Sequence, residues 1–144
     1  MSDLSIRIGD FLLKQALALE CRQAGLRSGS TPLSFGPIAY LQRGQLTERA
    51  EAIVALHGAA SDSTCWIRFC RHLRSALPVL LPDLPGHGKS VCEPDLDYGI
   101  RAQISRLRAW LAVMGIRRAH FIGNSMGALW RSGSRRRHRN SSPR

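Results

Sequence analysis

The stretch HFIGNSMGAL, His120 to Leu129, decides how the rest of the chain is read. His120 to Gly123 suits a short strand, and Met126 onward suits the start of a helix. Between them Gly123-Asn124-Ser125-Met126-Gly127 matches G-x-S-x-G. A serine on so tight a turn takes strained backbone angles, and its neighbours two residues away must be small to avoid clashes. The turn lifts the hydroxyl clear of the sheet. It also aims the following backbone N–H groups and the helix N-terminus at one spot, where they can stabilise a developing oxyanion. As a bare pattern the motif is weak, because glycine and serine are common; the apolar strand before it supplies the required context.

Upstream, Gly99 to Met114 is the clearest helix. Ile100, Ile104, Leu107 and Leu111 recur at helical spacing, and Gly115 falls where a helix-ending glycine belongs. AIVALHG (Ala52 to Gly58) and VLLPDL (Val79 to Leu84) are short apolar runs of the kind buried on both faces of a parallel sheet. Between them Ser61 or Ser63 caps a predicted helix from about Thr64 to Ala76, with Trp66, Phe69, Cys70, Leu73 and Leu77 as its apolar stripe. Pro37 to Leu41 is a strand candidate closed by Gly44, and Ser28 to Pro32 reads as a loop by composition. Residues 1–27 form an amphipathic helix, with Leu4, Ile8, Phe11, Leu12 and Leu19 at helical spacing. It is expected to lie on the domain, or alternatively on a membrane surface. Strands alternating with helices predict an α/β fold, a mostly parallel sheet flanked by helices.

Two further motifs precede the serine. His57-Gly58-Ala59-Ala60 follows the first buried strand, and Asp83-Leu84-Pro85-Gly86-His87-Gly88-Lys89-Ser90 follows the second. The GKS invites a phosphate-loop reading, but that pattern needs glycine at position 83, where Asp83 stands. With the serine turn, the order and spacing of these motifs resemble the α/β-hydrolase family over roughly Gly36 to Leu129. The GNSMG turn and the QISRLRAWL helix before it look like bacterial lipases and esterases related to monoacylglycerol lipases. The carbon–carbon bond hydrolases of ring-fission products share the same turn.

The resemblance implies Ser125 as nucleophile and the backbone N–H groups of Ala59 and Met126 as the oxyanion hole. His57 and Gly58 support the first loop, Gly123 and Gly127 permit the turn, and Asp83 fixes the D-x-P-G-x-G-x-S loop. It implies a serine hydrolase acting on carboxylic esters of lipid-like acyl groups, with a small-molecule ester as partner and no metal or cofactor.

The family also places an acid and then a histidine on loops after later strands. Beyond Ser125 this chain carries one histidine, His138, and no aspartate or glutamate follows Asp97. After Trp130 the composition turns to RSGSRRRHRNSSPR, as a frame change in a GC-rich gene would give. The expectation is therefore an α/β-hydrolase domain over 36–130, truncated and inactive, with a disordered arginine-rich tail over 131–144. A non-catalytic pseudoenzyme, or a half-domain completed by a partner, is the alternative. An uncovered HFIG strand edge would favour oligomerisation or aggregation.

Bulk properties add bounds. The 144 residues suffice for one domain. The net charge of +11 is concentrated at the end: without six tail arginines, 15 basic residues face 10 acidic ones. Nucleic-acid binding through that tail is disfavoured, because no aromatic residues interleave it and no recognition fold surrounds it. Cys21, Cys65, Cys70 and Cys92 form no CxxC pair, and the N-terminus does not resemble a signal peptide, so reduced thiols and a cytoplasmic location are expected.

Overall fold

In the computed structural model, residues 3–46 and 51–128 are described; the arginine-rich tail lies outside them. In chain order the elements are α1 (Asp3–Gln23), β1 (Arg27–Thr31), β2 (Ile38–Arg43) and β3 (Glu51–Leu56). After a 3₁₀ turn (Ser63–Trp66) come α2 (Ile67–His72), β4 (Val79–Pro82), α3 (Ile100–Val113) and β5 (Arg118–Gly123). The strands make one five-stranded sheet in the order β1-β2-β4-β3-β5. β3 pairs parallel with β4 and with β5, while β2 pairs antiparallel with both β1 and β4.

Alternation along the central strands divides the core. Ala52, Val54 and Leu56 of β3 join Leu80 of β4 on one face, against Leu107 and Trp110 of α3. Ala55 of β3 joins Val79 and Leu81 of β4 on the other, against Ile67 and Cys70 of α2. Helices on both faces of a mixed five-stranded sheet make this an α/β fold, as expected for the first part of an α/β-hydrolase domain.

The sequence expectations need correction at four places. Arg27 to Thr31, read in part as a loop, is strand β1, because Gly29 lets the Tyr40 ring lie flat on the edge strand. A Cβ on Gly29 would fall 2.5 Å from Tyr40 Cζ. The helix expected over 64–76 is shorter, a 3₁₀ turn and then α2, and Leu73 at ψ 111° has already left it. Its cap is Asp62, whose carboxylate accepts from the Thr64 N–H at 2.8 Å, and Ile67 is buried where Phe69 is exposed.

In α3 the buried face is centred on Gln103, Leu107 and Trp110, leaving Ile100 at 45% exposed. Trp110 packs on Tyr40 with ring centroids 5.6 Å apart, so the helix turns this face, with its tryptophan, toward β2. Gly115 ends α3 at φ +69°, with the Gly115 and Ile116 N–H groups donating to Ala112 and Leu111 carbonyls. Finally, α1 does not lie along the domain. Leu17 and Cys21 pack into the α2-side core, whereas Ile6, Ile8, Phe11, Leu12, Leu13 and Leu19 are all at least 50% exposed.

The two readings of α3 separate experimentally. Leu107→Ala should lower the unfolding free energy by about 2–5 kcal/mol in urea denaturation. Ile100→Ala should cost under ~1 kcal/mol, as surface positions do.

Candidate active site

The site is built where β3 and β5 end side by side. Their parallel register pairs Leu56 with Gly123, so the chain leaves both strands at the same level. The Asn124 N–H then donates to the Leu56 carbonyl at 3.1 Å, extending the pairing by one bond into the turn. Ser125 follows at φ +52°, in the left-handed region, and residues 126–128 are helical.

Two glycines make this geometry possible. A Cβ on Gly123 would stand 2.5 Å from the Gly127 carbonyl carbon. A Cβ on Gly127 would stand 2.3 Å from the Leu56 oxygen and 2.8 Å from the His57 oxygen. The start of the helix thus rests directly on the end of β3, and no side chain fits between them. Asn124 and Ser125 are exposed above it.

The His57-Gly58-Ala59-Ala60 loop stands against this turn. A Cβ on Gly58 would be 3.3 Å from Ser125 Cβ and 3.9 Å from its Oγ. Ala60 is held at φ +52°; it and Ser125 are the non-glycine residues at positive φ among those described. Backbone strain of this kind costs about 1–3 kcal/mol per residue and persists only where the surroundings enforce it. The sequence offered no signal for Ala60, because alanine is not a residue that favours the left-handed region.

His57 enforces the loop. It is fully buried, and its Nε2 accepts the Leu84 N–H at 3.0 Å. That leaves Nδ1 with the proton, and Nδ1–H donates to the Gly58 carbonyl at 2.8 Å. A trans peptide points its C=O and N–H in opposite directions, so holding the Gly58 carbonyl inward turns the Ala59 N–H outward. Neither the Ala59 N–H nor the Met126 N–H donates to any acceptor among the described residues. The Ser125 hydroxyl likewise has no hydrogen-bond partner among them.

Burial pushes the His57 pKa below the ordinary histidine value, against the opposing effect of the Gly58 bond; the neighbouring His87, whose ring centroid is 4.9 Å away, lowers it further.

Asp83 anchors the second loop with both carboxylate oxygens. Oδ1 accepts the Ser63 N–H at 2.7 Å and Oδ2 the Lys89 N–H at 2.9 Å. Gly88, at φ +54°, passes so close that a Cβ would fall 2.3 Å from Asp83 Oδ2. Ser90 Oγ donates to the Asp83 carbonyl, and the Ala39 N–H donates to Ser90 Oγ. Among the described residues no group of three or more His, Cys, Asp or Glu could hold a metal ion.

A model of the alpha/beta hydrolase family matches residues 53–137, more than half of the chain. The chain belongs to that family. A 2-hydroxy-6-oxononadienedioate/2-hydroxy-6-oxononatrienedioate hydrolase of Pseudomonas putida is 34% identical over 117 residues, which cover 77% of this chain and 38% of that protein. The crystal structure of a bacterial membrane phospholipase A superposes with a TM-score of 0.82 at 31% identity, covering 94% of this chain and 45% of that one. A haloalkane dehalogenase from Agrobacterium tumefaciens C58 superposes at 0.63 with 26% identity, over 77% of this chain and 38% of that one. This chain therefore spans less than half the length of these relatives. Among its described residues no helix is long and apolar enough to cross a membrane.

The His57 contacts carry a pH dependence. Its folded pKa is depressed, so the unfolded state binds the proton first. Stability should be full above the unfolded value of about 6.5 and fall as pH drops through it. Urea denaturation across that range should show this slope. His57→Leu should flatten it while costing about 1–3 kcal/mol for each buried backbone group left unpaired.

Proposed function

We propose that Ser125 is the nucleophile of a serine hydrolase acting on carboxylic esters with apolar, lipid-like acyl groups. One observation carries the reading: a left-handed serine stands beside a strained loop, at the ends of two adjacent parallel strands, with the Ala59 and Met126 N–H groups unengaged among the described residues. Attack of Oγ on an ester carbonyl would place negative charge on the carbonyl oxygen. Two N–H donors in fixed positions stabilise that charge without reorganising, the usual source of most acyl-transfer catalysis. The alkoxide or alcohol then leaves, and water releases the acid from the acyl-serine.

In this reading the general base that takes the Ser125 proton comes from outside the described residues. His57 is unsuited to the role, because its unprotonated nitrogen already accepts the Leu84 N–H. Without a base, turnover is lower by about 10⁴–10⁶, leaving the residual contribution of the oxyanion donors.

A second reading is carbon–carbon bond hydrolysis, favoured by the resemblance to the Pseudomonas putida dienedioate hydrolase.

The test is a fluorophosphonate probe with adduct mapping by mass spectrometry. Slow but selective modification of Ser125 over other exposed serines, abolished in Ser125→Ala, is the expected result. Adducts spread over surface serines, or none on Ser125, would overturn the assignment.

A further inference from the structure

The least explained feature of the fold is α1. Ile6, Ile8, Phe11, Leu12 and Leu13 are each at least 50% exposed, and a Cβ on Gly9 would meet nothing within 4 Å. Every residue from Ile6 to Ala16 is exposed, so this part of the helix packs on no other element among the described residues. A dozen residues of isolated helix are marginal in water, which makes a covering surface a requirement for this one.

The pattern on the helix says what kind of surface. At 100° per residue, Arg7, Asp10 and Lys14 fall within a stripe of roughly 60°. The apolar residues from Phe11 round to Ile6 span an arc of about 220° by the same count, interrupted only by the uncharged Gln15 and Ser5. A partner helix covers a narrow seam, two positions in seven, and would leave most of that arc wet. Lipid chains cover any apolar side without matching its shape.

The foot of α1 supplies the second observation. Arg68 of α2 lies 3.7 Å from Glu20, and Leu17 and Cys21 share a core cluster with Ile67 and Cys70, so α1 is planted on α2. The exposed side chains of this segment are cationic: Arg71, His72 and Arg74 are exposed beside the Glu20-paired Arg68, and no acidic residue falls between Ile67 and Pro82. Phe69, 40% exposed, stands among them with its ring edge-on to Trp66 at 5.5 Å. Arginines mixed with aromatics beside an apolar helix match the headgroup layer of an anionic bilayer, with the apolar residues below it. A second copy docked symmetrically would bring the same arginines against these.

We infer that α1 and the basic side of α2 together form a docking surface for an anionic phospholipid bilayer, with α1 lying in the interface. This surface does not depend on the reading of Ser125.

Flotation of the full chain with vesicles tests it, since aggregates sink while bound protein rises. The chain should float with phosphatidylcholine–phosphatidylglycerol vesicles, much less with phosphatidylcholine alone, and less in high salt. Phe11→Asp with Leu12→Asp, or Arg71→Glu with Arg74→Glu, should each reduce partitioning about tenfold or more. All four side chains are exposed, so thermal unfolding by circular dichroism should be unchanged. Failure to float, or equal flotation of wild type and both variants, would overturn the inference. So would a dimer in analytical ultracentrifugation that Phe11→Asp dissociates in a chain that does not bind vesicles.

Discussion

The parallel pairing of β3 with β5, which sets Leu56 beside Gly123, is the constraint on which the rest of the structure depends. It delivers two loops to one place at one height, so that Gly58 after one strand and Ser125 after the other are neighbours. The pairing continues past the strands through the Asn124 N–H to Leu56 bond. A helix is then laid directly on the end of β3. That contact admits no Cβ at Gly123 or Gly127, so the glycines of the motif are set by backbone packing rather than by chemistry at the serine.

Around this junction the protein uses buried polar groups to fix backbone rather than to react. His57 ties the end of β3 to the loop after β4, and in doing so sets the direction of the peptide that follows Gly58. Asp83 ties the same loop to the start of the 3₁₀ turn and to Lys89. Both are fully or nearly fully buried, and both satisfy backbone N–H groups that would otherwise be stranded. Such groups look catalytic in a sequence because histidine and aspartate are reactive types. Their partners in the fold assign them to holding two loops together.

Much of this was legible beforehand. The apolar runs at Ala52 and Val79 marked β3 and β4, because a strand buried on both faces has no polar positions to interrupt it. The G-x-S-x-G turn was visible because its geometry tolerates only small residues at fixed positions. Less legible were features that depend on what lies across from a residue. Arg27 to Thr31 has the composition of a loop, yet pairs as a strand because Tyr40 covers Gly29. The buried face of α3 is centred toward Trp110, which packs on the same tyrosine. The asparagine-free, glycine-free strain at Ala60 left no mark in the sequence at all.

The sequence by itself determined the class of fold, the family and the position of the serine, since apolar periodicity and obligatory glycines are local properties that survive without coordinates. Only the tertiary structure decided which groups are engaged. His57 became a neutral acceptor because Leu84, distant in sequence, donates to it, and the apolar side of α1 turned outward because only its last turns find a partner on α2. Both outcomes rest on contacts between segments far apart in the chain, and those are fixed by packing geometry that no local pattern encodes.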